Sequence, residues 1–376
     1  MTFAYLLVLG ATLFWLGVAR RVGSSRADTR YRLGPEGPVA ATLPRLHVVI
    51  PARNEARNIG DCLRSVGASD HPDLRVWVVD DDSTDGTGEL AALGGATVIQ
   101  GEGGPLPAGW KGKPRALERA RSHLPTDAEW IVFLDADVRL HPHALSRLHT
   151  YALAEEVDFL SGFGRLVMGS FWEHVIQPSV GGLIIAGNDL AVVNDPARKD
   201  KVIANGQLIL VRAAAHAVVG GHTAVKDDIL DDVGLARAFT AHGFRVRILF
   251  LRELFSCRMY TGFTELWLGW TKNLFPGMEF RRSAVVAVVA LVLTEFVAPY
   301  IVFGCALGRG EWTLAACAGA LLLLMHAVRG WMDRIFGQPL LYGLFQPVGA
   351  LLLVGLVLDS VRRTRTGTRL WKGRTY

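Results

Sequence analysis

Ile131-Val132-Phe133-Leu134-Asp135-Ala136-Asp137-Val138 is an apolar run that ends on two carboxylates. Four apolar residues in succession, rich in β-branched and aromatic side chains, have the composition of a buried strand in a parallel sheet. Carboxylates spaced i, i+2 on extended backbone share one face. Open α/β sheets bind ligands beyond the carboxyl ends of their strands. Asp135 and Asp137 could there share a hard divalent cation whose shell a diphosphate completes. A strand closing in an Asx turn is the alternative that this motif alone leaves open.

The flanking sequence repeats the pattern. Leu46–Ile50 reads as a buried strand that runs into Pro51-Ala52-Arg53-Asn54-Glu55, and helical spacing follows at Ile59, Leu63 and Val66. Val76–Val79 runs into Asp80-Asp81-Asp82-Ser83-Thr84-Asp85-Gly86-Thr87. Ala96–Ile99 precedes a Gly/Pro loop, Gly109-Trp110-Lys111-Gly112-Lys113 and a helix over 114–122. Strands are also expected at 205–211 and 244–250. Strands and helices alternating at this pitch predict an α/β fold with a mostly parallel, doubly wound sheet. Three charged loops fall just after strands, which favours one polar ligand site.

The remainder is apolar. Half of the 376 residues are hydrophobic, and the excess lies in residues 1–19 and in three segments near 284–307, 312–328 and 340–358. Each approaches the roughly 20 residues that span a bilayer. Arg20-Arg21, Arg281-Arg282 and Arg362, Arg363, Arg365, Arg369, Lys372 and Arg374 flank these runs within a net charge of +5. Such flanks mark the cytoplasmic side and anionic headgroups. No basic patch interleaved with aromatics points to nucleic acid. The expected division is an N-terminal transmembrane helix (1–21), a linker (22–45), a catalytic domain (46–258), an interfacial segment (259–283), membrane helices (284–358) and a basic cytoplasmic tail (359–376). Glu295 and Pro299 suggest that the first of the three C-terminal segments is re-entrant or interfacial. Residues 159–193 read as a strand and an amphipathic, membrane-apposed helix, with a buried core helix as the alternative. Trp267 and Trp270 read as interfacial anchors. Four cysteines without a CxxC pair suit a reducing compartment, and eleven histidines without HxxxH or HExxH spacing argue against a zinc hydrolase.

Individual residues have two readings. The Asp80–Asp82 acids can accept bonds from a nucleobase N–H or ribose hydroxyls, or cap a helix. Lys113 can face a diphosphate or be a solvated lysine. Asp231 and Asp232 open a helix, where a carboxylate could deprotonate an acceptor hydroxyl. With Asp227 and Asp228 they could equally form a charged helix face.

Together VVIPARNEARNI (48–59), VVDDDSTDGT (78–87), GWKGKPRAL (109–117), FLDADV (133–138), NGQLIL (205–210) and DDILDDVGLAR (227–237) resemble the family 2 glycosyltransferases of the GT-A fold. The loop at 109–113, WEHVIQP (172–178), GWTK (269–272) and LWKGR (370–374) resemble its membrane-bound subgroup that includes carotenoid- and hopanoid-associated enzymes. The resemblance implies a nucleotide-sugar donor, UDP-linked, with Mg²⁺ or Mn²⁺. It puts Pro51, Arg53, Glu55, Asp80, Asp81, Lys113 and Asp135 on the donor, and Asp135 and Asp137 on the metal. Asp232 matches the base, with Asp231 standing where the family has Glu. A single inverting transfer to a membrane lipid is then expected, from a multi-pass protein of the cell membrane with its catalytic domain in the cytoplasm. The alternatives are a polyprenyl-phosphate sugar synthase and an inactive membrane scaffold of the same fold. An aspartyl phosphatase would want Thr or Val where Arg139 stands, and a nicotinamide dehydrogenase would want GxGxxG where the chain has PARNEA.

Overall fold

The computed structural model describes residues 2–27, 29–368, 370, 371, 374 and 375. It divides into two compact units. The sheet unit comprises Tyr31–Val167 and Asn188–Met259; the helical unit comprises the N-terminal segment up to Arg30, Met168–Gly187 and Tyr260–Thr375.

The sheet unit has ten strands: β1 (Leu46–Ala52), β2 (Leu74–Asp80), β3 (Thr97–Gln100), β4 (Trp130–Leu134), β5 (Val138–Leu140), β6 (Phe159–Phe163), β7 (Arg165–Leu166), β8 (Leu208–Arg212), β9 (Val246–Phe250) and β10 (Phe255–Cys257). Seven of them form one sheet in the order β3-β2-β1-β4-β8-β6-β9, and a small sheet runs β5-β10-β7. β1 lies parallel to β2 and β4, and β2 to β3. β8 runs antiparallel to both β4 and β6, so the sheet is mixed though mostly parallel. The central strands are buried because both faces are covered. On one, the helix Ile59–Gly67 turns Ile59, Cys62, Leu63 and Val66 inward, in a core shared with Leu46, Val48, Ile50 and Val132. Fully burying one such side chain is worth about 1.5–3 kcal/mol.

The segment expected as a linker is docked over its second half. Phe250 N–H donates to Tyr31 at 2.8 Å and Leu33 N–H to Phe250 at 3.1 Å, extending the sheet edge beside β9. Arg147 donates to the carbonyls of Gly34 and Pro38. Backbone pairing, which no side-chain pattern announces, makes residues 31–38 part of the folded unit.

In the helical unit, four helices among the described residues are long and apolar enough to cross a membrane: Thr2–Ser24, Arg282–Gly308, Trp312–Ile335 and Leu340–Thr366. The second, read from sequence as re-entrant or interfacial, is continuous in helical backbone, with a π turn at Leu293–Val297. Proline cannot donate to the carbonyl four residues back. Pro299 therefore leaves the Glu295 carbonyl without its helical donor, and the Trp15 indole supplies one at 3.0 Å. Helix Phe263–Gly277 has a similar repair one residue before Pro276. The Ser360 hydroxyl donates to Thr271 O at 2.6 Å and accepts from Phe275 N–H at 2.9 Å, so it replaces a rung of the ladder. Trp270 is buried against Tyr260, and the Trp267 indole donates to Asp359 at 2.9 Å. Helix Phe171–Gly187 belongs to this unit and packs on helix Gln346–Thr366, where a Cβ on Gly349 would clash with the Val175 carbonyl. That last helix also runs through Arg362, Arg363 and Arg365, so the expected tail begins as helix. Arg369 and Lys372 lie outside the described residues.

Candidate active site

The carboxyl ends of β1, β2 and β4 gather the residues singled out by sequence. β4 stops at Leu134, one residue before Asp135, and Val138 N–H closes a turn on the Asp135 carbonyl at 3.1 Å. The acids thus stand on a turn rather than on extended strand. Their relation survives the change: Asp135 and Asp137 are half-buried, and Ala136 between them is 2% exposed. Asp135 N–H donates to Gln207 O at 3.0 Å, which ties the acidic turn to the segment before β8.

Lys113 lies in the first turn of helix Gly112–Arg121. Its Nζ is 2.6 Å from Asp135 Oδ1 and donates to the Gly206 carbonyl at 3.0 Å. Gly206 N–H donates in turn to Asp232 Oδ2 at 2.7 Å. A Cβ on Gly206 would stand 3.1 Å from Lys113 Nζ and 3.3 Å from Asp232 Oδ2, so a small residue keeps the two close. Ser161 and Asn205 fix this glycine: the hydroxyl donates to Asn205 O and accepts from Asn205 N–H, both at 2.9 Å. Sequence reading did not single out Gly206 or Ser161, because a backbone amide and a buried strand serine carry no chemical signature.

Electrostatics distinguishes the groups. Burial, then the Asp231 charge, raises the Asp232 carboxyl to about 6 against the lowering by Lys113 and two backbone N–H groups. Burial opposes the charge on Lys113, but Asp135, Asp231 and Asp232 outweigh it and hold the ammonium above its ordinary value. Asp231 is the first residue of helix Asp231–Ala241 and Asp232 the second. Asp228 stands before the helix, its carboxylate close over Gly234, and is raised by burial and then by Asp227 and Asp231.

The acids after β2 take separate parts. Asp80 is 6% exposed; one oxygen accepts from Ser83 N–H at 3.0 Å, and the other lies where a Cβ on Gly88 would be, 2.5 Å away. It holds the loop. Asp81 is half-buried, and its carbonyl accepts from Arg53 at 2.6 Å. Glu55 accepts from the Asn58 side chain at 2.7 Å while its N–H donates to Thr87. Pro51 lies within β1, paired with Val79. A cavity of about 450 Å³ beside this loop is lined by Asp80, Ser83, Thr84, Glu89, Val98 and Gln100, among others.

Buried histidines behind the site are core. His216 and His222 meet at 3.2 Å against Phe133, and burial lowers His216 to about 4, so neither is charged at neutral pH.

Two half-buried carboxylates two residues apart on a fixed turn are oxygen donors of the kind a hard cation takes, with Lys113 occupying Asp135 Oδ1 and Asp137 Oδ1 left without a hydrogen-bond partner. A mostly parallel mixed sheet carrying these acids at its carboxyl edge is the architecture of the GT-A fold. Residues 47–179 match the Glycosyl transferase family 2 model, which supports an enzyme that transfers sugar. It is 28% identical over 337 residues to the 4,4'-diaponeurosporenoate glycosyltransferase of Staphylococcus aureus (strain USA300), covering 88% of each chain. The protein of strain MRSA252 has the same identity and coverage. The fold is also that of a mannosyltransferase from Pyrobaculum calidifontis solved with GDP-Man and Mn²⁺. That match has a TM-score of 0.52 and 18% identity, and covers 93% of this chain and 99% of that one.

Proposed function

We propose that the protein is an inverting glycosyltransferase that moves one sugar from a nucleotide-sugar, UDP-linked, to a membrane lipid such as a carotenoid or hopanoid. The observation that carries the reading is the chain of contacts Asp135–Lys113–Gly206–Asp232, which puts a cation between a candidate metal ligand and a candidate base. Asp135 and Asp137 would hold Mg²⁺ or Mn²⁺, whose charge offsets that of the donor diphosphate. Lys113 adds a second positive charge on the leaving-group side. Asp81, more exposed than Asp80, faces the nucleoside, while Pro51, Arg53 and Glu55 shape the loop that carries it. Asp232 takes the proton of the acceptor hydroxyl, with its raised pKa bringing it closer to working pH, and Asp231 tunes it. Attack opposite the departing diphosphate inverts the anomeric carbon in a single displacement.

A lipid acceptor is supported by the relative's name and by four apolar helices in the same chain. These helices and their arginine flanks support a multi-pass protein of the cell membrane with the sheet unit in the cytoplasm. The test uses protein in nanodiscs, a panel of nucleotide sugars and membrane lipid extract. Release of nucleoside diphosphate that needs both metal and lipid, and a glycosylated lipid by mass spectrometry, are the expected results. No release from any donor would overturn the reading.

A further inference from the structure

Helix Ile59–Gly67 grips both ends of the acidic turn. Asp61 and Cys62 lie one helical turn before Ser65, so the three share a face. The Cys62 thiol lies 3.8 Å from the Asp135 carbonyl, and the Ser65 hydroxyl accepts from Leu140 N–H at 3.1 Å. Asp61 accepts from Arg139 Nη2 at 3.4 Å. Arg139 in turn reaches the middle of the turn. Its Nη1 donates to the Ala136 carbonyl at 3.2 Å and to the Val138 carbonyl at 2.9 Å. Ala136 stands between the two acids, so the first of these bonds pins the peptide group that leads into Asp137.

Resting on the metal reading above, we propose that Arg139 is a positioning residue for the cation site. Its planar fork spans two carbonyls of the turn and a carboxylate of the supporting helix, and so fixes the backbone from which Asp135 and Asp137 present their oxygens. A lysine offers the same charge without the fork. Groups that orient metal-ligating carboxylates matter to binding, and their removal weakens metal affinity by about 10–100-fold. The charge of Arg139 acts the other way, since a positive neighbour opposes a second cation. Positioning and charge therefore predict opposite signs for the same substitution.

The experiment measures Mn²⁺ binding to the full chain in nanodiscs by electron paramagnetic resonance, with and without UDP, for wild type, Arg139→Met and Arg139→Lys. Methionine keeps the unbranched stem and loses both charge and donors. The expected result is about a tenfold loss of affinity for methionine and a smaller loss for lysine. The Mn²⁺ concentration for half-maximal turnover should rise by the same factors, with kcat at saturating Mn²⁺ falling by less. The lysine variant carries the test even where methionine fails to fold, because weaker binding at unchanged charge cannot come from electrostatics. Tighter Mn²⁺ binding by the methionine variant, or wild-type binding by both variants, would overturn the inference alone. A wild-type protein that takes up no Mn²⁺, with or without UDP, would overturn the metal reading and this inference with it.

Discussion

The two units bury polar groups in opposite ways. In the sheet unit, Asp135, Lys113, Gly206 and Asp232 converge on one edge, and the carboxylate of Asp232 is held at a raised pKa instead of being neutralised by a dedicated ion pair. In the helical unit, polar side chains close local deficits. Trp15 caps the carbonyl freed by Pro299, Ser360 replaces a helical rung, and Arg329 meets Asp333 at 2.9 Å one turn away, both nearly buried. An apolar surrounding penalises an unsatisfied backbone group, and Trp15 and Ser360 supply the partners that these helices lack. At the proposed catalytic edge a perturbed charge is what proton transfer would use. The difference is testable: variants in the sheet unit should change chemistry at constant stability, and those in the helical unit the reverse.

The largest effect is expected from Asp137→Ala, with turnover falling on the order of 10³-fold while the thermal midpoint stays near wild type. A large drop in the midpoint would instead make Asp137 a structural residue and erase the contrast. Next is the pH profile. Asp232 must be deprotonated to act, so kcat/KM should fall as pH drops through about 6. Asp231→Asn removes a charge that raises Asp232 and should move this limb to lower pH, whereas Lys113→Gln should move it higher. An unmoved limb in both variants would show that another group governs it. An Asp232→Asn enzyme of near-normal activity would favour a lipid phosphate acceptor, which needs no base.

The helical unit should answer in stability. Ser360→Ala leaves a buried carbonyl and a buried N–H without their partner and should cost about 2 kcal/mol, read by thermal unfolding in detergent, with turnover per folded molecule retained. The smallest change is Trp15→Phe, which keeps the ring and loses the bond to Glu295 O, at about 1 kcal/mol. Loss of turnover without loss of stability in either variant would break the division of labour.

The strands β1, β2 and β4 and the helix after β1 were legible because apolar runs and 3.6-residue spacing are local. The separate duties of Asp80 and Asp81 were not. Adjacent aspartates look alike until one is seen to cap Ser83 against Gly88 while the other stays half-exposed. The antiparallel insertion of β8 between β4 and β6 was also hidden, since an apolar run does not state its direction.

By itself the sequence determined the alternating α/β unit, the apolar helices at both ends and the acids proposed to carry the chemistry. Periodicity, hydropathy and residue type are properties of short stretches. The tertiary structure alone decided which acids meet Lys113, which backbone amide reaches Asp232 and which side chains mend the interrupted helices. Those partners lie far apart in the chain, and only the folded register brings them within hydrogen-bond distance.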